Sequence, residues 1–214
     1  MTARASPLPQ HAAIEVRSLG RREFEPVWRD MQRFTNERTG DTRDEIWFTE
    51  HPPVFTLGLN ASREHLLAPG DIPVVQIDRG GQVTYHGPGQ LMVYPLLDLK
   101  RAGLNIRDLV SALERSVIGL AGEFGIEASA RRDAPGVYVE DRKLASVGLR
   151  VRRGASYHGM ALNVDLSLEP FSRINPCGYQ GLQMIDLARL GVTEGMQAIS
   201  SRLEPHLLRN FGLM

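Results

Sequence analysis

Lysine is almost missing from this sequence. Of 25 basic residues only Lys100 and Lys143 are lysines, and arginine carries every other positive charge. Arginine stays protonated at any physiological pH, whereas lysine titrates when its surroundings change. A lysine kept in such a chain therefore marks a position where arginine is not an equivalent. Cysteine is scarcer still, and Cys177 stands alone. One cysteine excludes an internal disulfide, and with six histidines that show no ligand spacing it gives no zinc site. Net charge is also missing: 25 acidic residues balance the basic ones. The chain as a whole has no field to draw it to nucleic acid or to a membrane surface. No run of apolar residues approaches the length of a bilayer span. The first residues carry no apolar stretch of signal-peptide length, so the cytoplasm is the expected compartment.

What is present is ordinary for a globular protein: 42% hydrophobic and 23% charged residues in 214. There is no repeat, low-complexity tract or linker. Residues 1–13 are expected to form a flexible tail, and residues 14–214 a single domain. Phe24, Val27, Trp28, Met31 and Phe34 recur at helical spacing and predict a helix over Glu23–Arg38. A second helix, capped by Asn105 and stopped near Gly125, carries Leu109, Val110, Leu113, Val117, Leu120 and Phe124. A third lies within Thr193–Phe211. Strands are predicted at Asp44–Glu50, Val54–Leu57, Pro73–Ile77, Gln90–Leu97, Gly136–Val139, Lys143–Val151 and Tyr157–Val164, with a hairpin around Glu140, Asp141 and Arg142. Asp78–Gly89, dense in glycine, reads as a loop. Grouped strands with helices between and after them predict an α+β domain with a mixed sheet.

Three places carry chemistry. Arg79, Gly80, Gly81, Gln82, Val83, Thr84, Tyr85 and His86 open a glycine-rich stretch whose backbone can approach a ligand closely. It lacks the ending of a phosphate loop and the spacing of a dinucleotide fingerprint. Cys177 lies between Pro176 and Gly178, in a turn rather than an apolar period, and needs a neighbouring base or cation to act as a nucleophile. Lys143 opens an apolar strand. Burial, with Arg142 or Arg150 nearby, is expected to lower its pKa and fit it to accept a thiol proton. His86 and His158 compete with it for that role. Arg131 to Arg153 holds seven basic residues against three acidic ones, a local excess that would suit an acidic partner or simply a solvated strand edge.

The loop RGGQVTYHGPGQ, the turn DRKLASVGLR, the segment YHGMALNVD and the turn INPCGY follow one another in this order. Together with EHPPVFTLG upstream they resemble the lipoyl(octanoyl) transferases of lipoate biosynthesis, over nearly the whole chain from Ile14 onward. The resemblance implies the fold shared with biotin protein ligase and lipoate ligase catalytic domains: a larger mixed β-sheet, a smaller sheet and flanking helices. It implies octanoyl-acyl carrier protein as donor. The implied acceptors are lipoyl domains of 2-oxoacid dehydrogenases and the glycine-cleavage H protein. It implies Cys177 as the residue that carries the acyl group, as a thioester, and Lys143 as its acid/base. The acyl pocket would be walled by Arg79 to His86, by Ser146, Val147 and Gly148, and by Gly159, Met160 and Ala161. Backbone N–H groups of Gly148 or Cys177 would hold the oxyanion. No cofactor, metal, nucleic acid or membrane is implied, and a monomer is expected. Two rivals remain: an ATP-dependent lipoate or biotin ligase, and a non-catalytic acyl-binding module on the same fold.

Overall fold

Gln90–Leu96 (QLMVYPL) is buried along its entire length, as an apolar run with no polar alternation should be. In the computed structural model, which describes residues 14–213, this strand lies inside a seven-stranded sheet. The expected tail at 1–13 falls outside the described residues. In chain order the elements are β1 (Glu15–Arg21), α1 (Phe24–Glu37), β2 (Glu45–Glu50), β3 (Val54–Leu57), β4 (Val74–Gln76), β5 (Val83–His86), β6 (Gln90–Leu96), α2 (Ile106–Glu123), β7 (Ser129–Ala130), β8 (Gly136–Val139), β9 (Arg142–Arg152), β10 (Ala155–Asn163) and α3 (Met196–Asn210). The large sheet runs β1-β2-β6-β10-β9-β8-β7, and β4-β3-β5 form a small second sheet. β1 pairs parallel with β2 and the other large-sheet pairs are antiparallel, so the sheet is mixed.

Strand alternation divides the core. Leu91 and Val93 of β6 join α2, α3 and the main apolar cluster on one face. Met92, Tyr94 and Leu96 join Val27 and Met31 of α1 on the other. This is the period of two that a pleated strand imposes. The small sheet has its own core, with Phe55, Leu57, Val83 and Tyr85 against Phe171 and Ile174.

Three strands differ from expectation: β5, β1 and the two-residue, exposed β7. β5 lies inside the stretch read as loop and pairs antiparallel with β3. Flanking glycines masked four residues of alternating inward and outward side chains. β1 is an edge strand of mostly exposed residues, so it has no apolar period to betray it. The expected hairpin at Glu140–Arg142 is present. A second one joins β9 to β10 through Arg153 and Gly154, both at positive φ, as a two-residue hairpin turn requires.

The α2 N-terminus is closed by a reciprocal cap. Asn105 accepts from the N–H groups of Arg107 and Asp108 at 2.8 and 3.0 Å, and Asp108 accepts from Asn105 N–H at 3.1 Å. Asn105→Ala is expected to lose about 1 kcal/mol, read as a melting point lower by roughly 2–4 °C in a thermal scan.

Candidate active site

Cys177 sits in a single helical turn, Pro176–Gly178, with left-handed backbone angles of φ 56° and ψ 15°. A non-glycine residue costs of order 1 kcal/mol there, so the surroundings must hold it. Asn175 N–H donates to His65 O at 2.8 Å, Gly178 N–H to Asn175 O at 2.9 Å and Tyr179 N–H to Pro176 O at 3.0 Å. Gly178, at φ 82°, is backed by the Gln82 side chain, 3.2 Å from where a Cβ would be. The thiol is half-buried.

Lys143 reaches the same place through a bulge. β8 and β9 pair as Gly136↔Ser146 and Val137↔Ala145, then as Tyr138↔Lys143 and Val139↔Arg142, which leaves Leu144 extra. Gly148 faces the cavity described below, since a Cβ there would lie 3.1 Å from Arg79 Cδ. Counting back by twos, Ser146 shares that face and Lys143 would point away. The bulge reverses the phase. Leu144 enters the main core, and Lys143 Nζ comes to 3.2 Å from Cys177 Sγ.

Lys143 is 1% exposed. Burial lowers its pKa, but the Cys177 thiolate and then Tyr138 raise it by more, and the net direction is upward. The expectation of a neutral amine is thus reversed. Arg142 turns outward to Glu140 at 2.8 Å, and Arg150 acts on Tyr157 and His158 instead. The pair is a lysine ammonium held against the Cys177 sulfur.

Beside this pair lies a cavity of about 360 Å³, at the small end of ligand sites. Arg79, Gly80, Gly81, Gln82, Val83, Thr84 and His86 line one side, Ser146, Val147 and Gly148 a second, and Gly159, Met160 and Ala161 a third. Tyr85 does not join them. In β5 it alternates with Thr84 and His86, and its ring packs on Phe55 and Phe171 at 5.6 and 5.4 Å. Phe24, Ile77, Met92 and Tyr94 also line the cavity and were not singled out from the sequence. The alternation of Met92 and Tyr94 along β6 was the available signal. Gly159 lets β10 pass β6 closely: a Cβ would stand 2.0 Å from Val93 O.

Arg79 is the unusual wall residue. It is 8% exposed and donates to Thr56 O, Thr56 Oγ1 and Gly80 O at 2.8–2.9 Å. Among the described residues no carboxylate pairs with it. Burial pulls its pKa to about 10, against Cys177 and Tyr94, which raise it. It leaves a positive charge on the cavity wall.

The rival bases line the same cavity but are engaged with other partners. His158 Nε2 bonds Asp78 Oδ1 at 2.9 Å. His86 bridges Gln90 Oε1 at 2.8 Å and Thr56 Oγ1 at 3.1 Å. Neither bonds Cys177. Among the described residues no group of three or more His, Cys, Asp or Glu side chains is placed to hold a metal ion.

Burial holds these rings neutral. It lowers His86 to about 3 and His51 to about 4. His51 Nδ1–H donates to Arg22 O at 2.7 Å, which leaves Nε2 to accept from Tyr94 OH at 2.8 Å, a bond that protonation would break. Unfolded histidine titrates near 6.5. Below that pH the unfolded chain binds protons that the folded chain refuses. Their stabilising contribution is whole above pH ~6.5 and is lost progressively toward pH ~4. Urea unfolding is expected to show a lower midpoint at about pH 5 than at neutrality, and His51→Gln to flatten that slope.

Residues 25–207 match the family model of the lipoyl protein ligase A/B catalytic domain. An octanoyltransferase of Alkalilimnicola ehrlichii is 60% identical over 195 residues, 91% of either chain. One of Pseudomonas fluorescens is 58% identical over 194 residues, 91% of this chain and 90% of that one. Among solved structures, a bi-partite lipoate protein ligase of Thermoplasma acidophilum superposes with a TM-score of 0.72 at 14% identity, over 94% of this chain and 85% of that one. The apo form of the biotin protein ligase of Aquifex aeolicus superposes with a TM-score of 0.56 at 13% identity, over 94% of this chain and 69% of that one. At these identities the structures speak for the fold alone: a large mixed sheet, a small sheet and flanking helices. The chain belongs to the lipoyl protein ligase A/B catalytic-domain family and, within it, to the octanoyltransferases, which are acyltransferases.

Proposed function

We propose that this octanoyltransferase takes its acyl group from octanoyl-acyl carrier protein and delivers it to a lysine of lipoyl domains, through a thioester on Cys177. The observation that carries this reading is the 3.2 Å contact between Lys143 Nζ and Cys177 Sγ beside the cavity. The thiolate attacks the donor carbonyl, and a Cys177 Sγ–C bond forms. The donor C–S bond breaks, and the carrier's phosphopantetheine thiol leaves with a proton from Lys143. The Arg79 charge favours the oxyanion formed on the way, with backbone N–H groups of the wall. The acceptor amine then attacks the acyl-enzyme and gives its proton to Lys143. Cys177 leaves as thiolate, and the ion pair is restored. One thioester replaces another in the first half, and a stable amide drives the second, so no nucleotide is consumed.

The cavity suits a medium-length chain. Each buried methylene contributes about 0.8 kcal/mol, so selection against longer chains comes from room rather than attraction. The acceptors are lipoyl domains of 2-oxoacid dehydrogenases and the glycine-cleavage H protein, and the step is the first of endogenous protein lipoylation. The protein works as a cytoplasmic monomer; no described helix is long and apolar enough to cross a membrane. The basic excess of 131–153 is smaller than its count. Arg131 pairs with Asp141 at 2.7 Å, Arg142 with Glu140, and Lys143 is buried.

Incubation with octanoyl-carrier protein, without ATP, is expected to add one octanoyl mass to the intact protein as a hydroxylamine-labile adduct. Cys177→Ser should carry no such labile thioester and lose transfer by roughly 10³-fold or more. A wild type that never gains the mass, or that needs ATP, would sink the reading. Lys143→Arg keeps a charge that cannot shuttle a proton and should lose roughly 10²-fold or more in the transfer assay.

A further inference from the structure

The apolar face of α2 contains one buried carboxylate. Glu114 is 8% exposed, next to Leu113 and one turn from Val117 in the main core. A carboxylate in such a place needs a donor. The donor is the Gly136 N–H, 2.8 Å from Glu114 Oε1. Burial pushes the Glu114 pKa up, and the Gly136 N–H, then the charges of Lys143 and Arg115, oppose it. Nothing in the acyl transfer derived above uses this residue.

Gly136 begins β8 directly beside the bulge that aims Lys143. It has φ 137°, and a Cβ there would stand 2.5 Å from Lys143 Cε, 3.2 Å from Nζ and 2.4 Å from Ala145 O. The bare backbone of Gly136 is therefore the wall against the end of the Lys143 side chain. That side chain has four flexible methylenes. Its amine keeps station at Cys177 only while the wall keeps its place. Besides its pairing with Ser146, the wall is held by Glu114.

We propose that Glu114 is a positioning residue for acyl transfer: by accepting the Gly136 N–H it fixes the backbone that holds the Lys143 amine against Cys177. This rests on the Cys177–Lys143 reading above. Among the described residues the charged and titratable groups around the pair are Tyr138 from β8, Arg79 from the loop before β5, His65 and Tyr179 beside the Cys177 turn, Asp133 on the cavity rim and Glu114 from α2. Arg131 stacks on the Tyr138 ring at 4.4 Å.

The test reads the pH dependence of Cys177 alkylation by iodoacetamide, by intact mass, with a thermal melt on each variant. A thiol that loses its ammonium neighbour titrates higher. Glu114→Ala is expected to move the alkylation limb upward by about one pH unit, and to slow acyl-enzyme formation at neutral pH about tenfold. Lys143→Met should move the limb the same way. Loss of the Glu114 charge alone would move it downward, because a nearby anion raises a thiol pKa. Glu114→Gln, which keeps an acceptor oxygen without the charge, should restore most of the limb. Gly136→Ala, with Glu114 intact, should reproduce the upward shift by crowding Lys143 aside. A folded Glu114→Ala protein with the wild-type profile overturns the proposal, and so does Glu114→Gln shifted as far as Glu114→Ala. If Glu114→Ala does not fold, an unshifted Gly136→Ala overturns it instead. If Lys143→Met leaves the limb unmoved, the Cys177–Lys143 reading fails first, and this inference with it.

Discussion

A charged amine buried to 1% exposure needs a partner, and the Lys143 ammonium has the Cys177 sulfur at 3.2 Å. Much of the surrounding structure is arranged around that contact. Stripping water from both groups costs more than a surface ion pair returns, unless geometry is held close. The holding is visible on both sides. A bulge in β9 turns the lysine inward, and a left-handed turn, tied to His65, presents the cysteine. The pair is far apart in sequence, so neither half has a purpose without the fold between them.

The second constraint is close approach. The cavity lies where the small sheet and its connecting loop press against β9 and β10, and glycines make that possible. A Cβ on Gly58 would stand 2.1 Å from Gly81 O, and one on Gly148 3.1 Å from Arg79 Cδ. These contacts carry Arg79 into the cavity wall without a carboxylate partner among the described residues. They add a second positive charge, besides Lys143, to the cavity wall near the Cys177 sulfur. In a site with little water such a charge acts at short range and needs no reorganisation when negative charge develops.

Much of the architecture was legible from periodicity. The three helices and most buried strands carry strong apolar patterns, and tertiary packing kept them. β1 escaped because an exposed edge strand has no such pattern. β5 escaped because the glycines around it signal turns. At the site, Tyr85 shows the limit of reading by segment. A motif names consecutive residues, but a strand sends alternate ones to opposite faces, and Tyr85 belongs to the small core. Glu114 was invisible because a single acidic residue on a helix normally faces water.

The amino-acid sequence was enough to mark Lys143 and Cys177 as exceptional, to establish an α+β chain with a mixed sheet, and to reveal the ordered motifs that carry the resemblance to octanoyltransferases. Scarcity and periodicity are properties of the linear chain. Whether the lysine would be neutral or charged was decided only in three dimensions. A pKa follows from what a group touches once water is gone, and Lys143 touches the Cys177 sulfur and the Tyr138 ring rather than the arginines beside it in sequence.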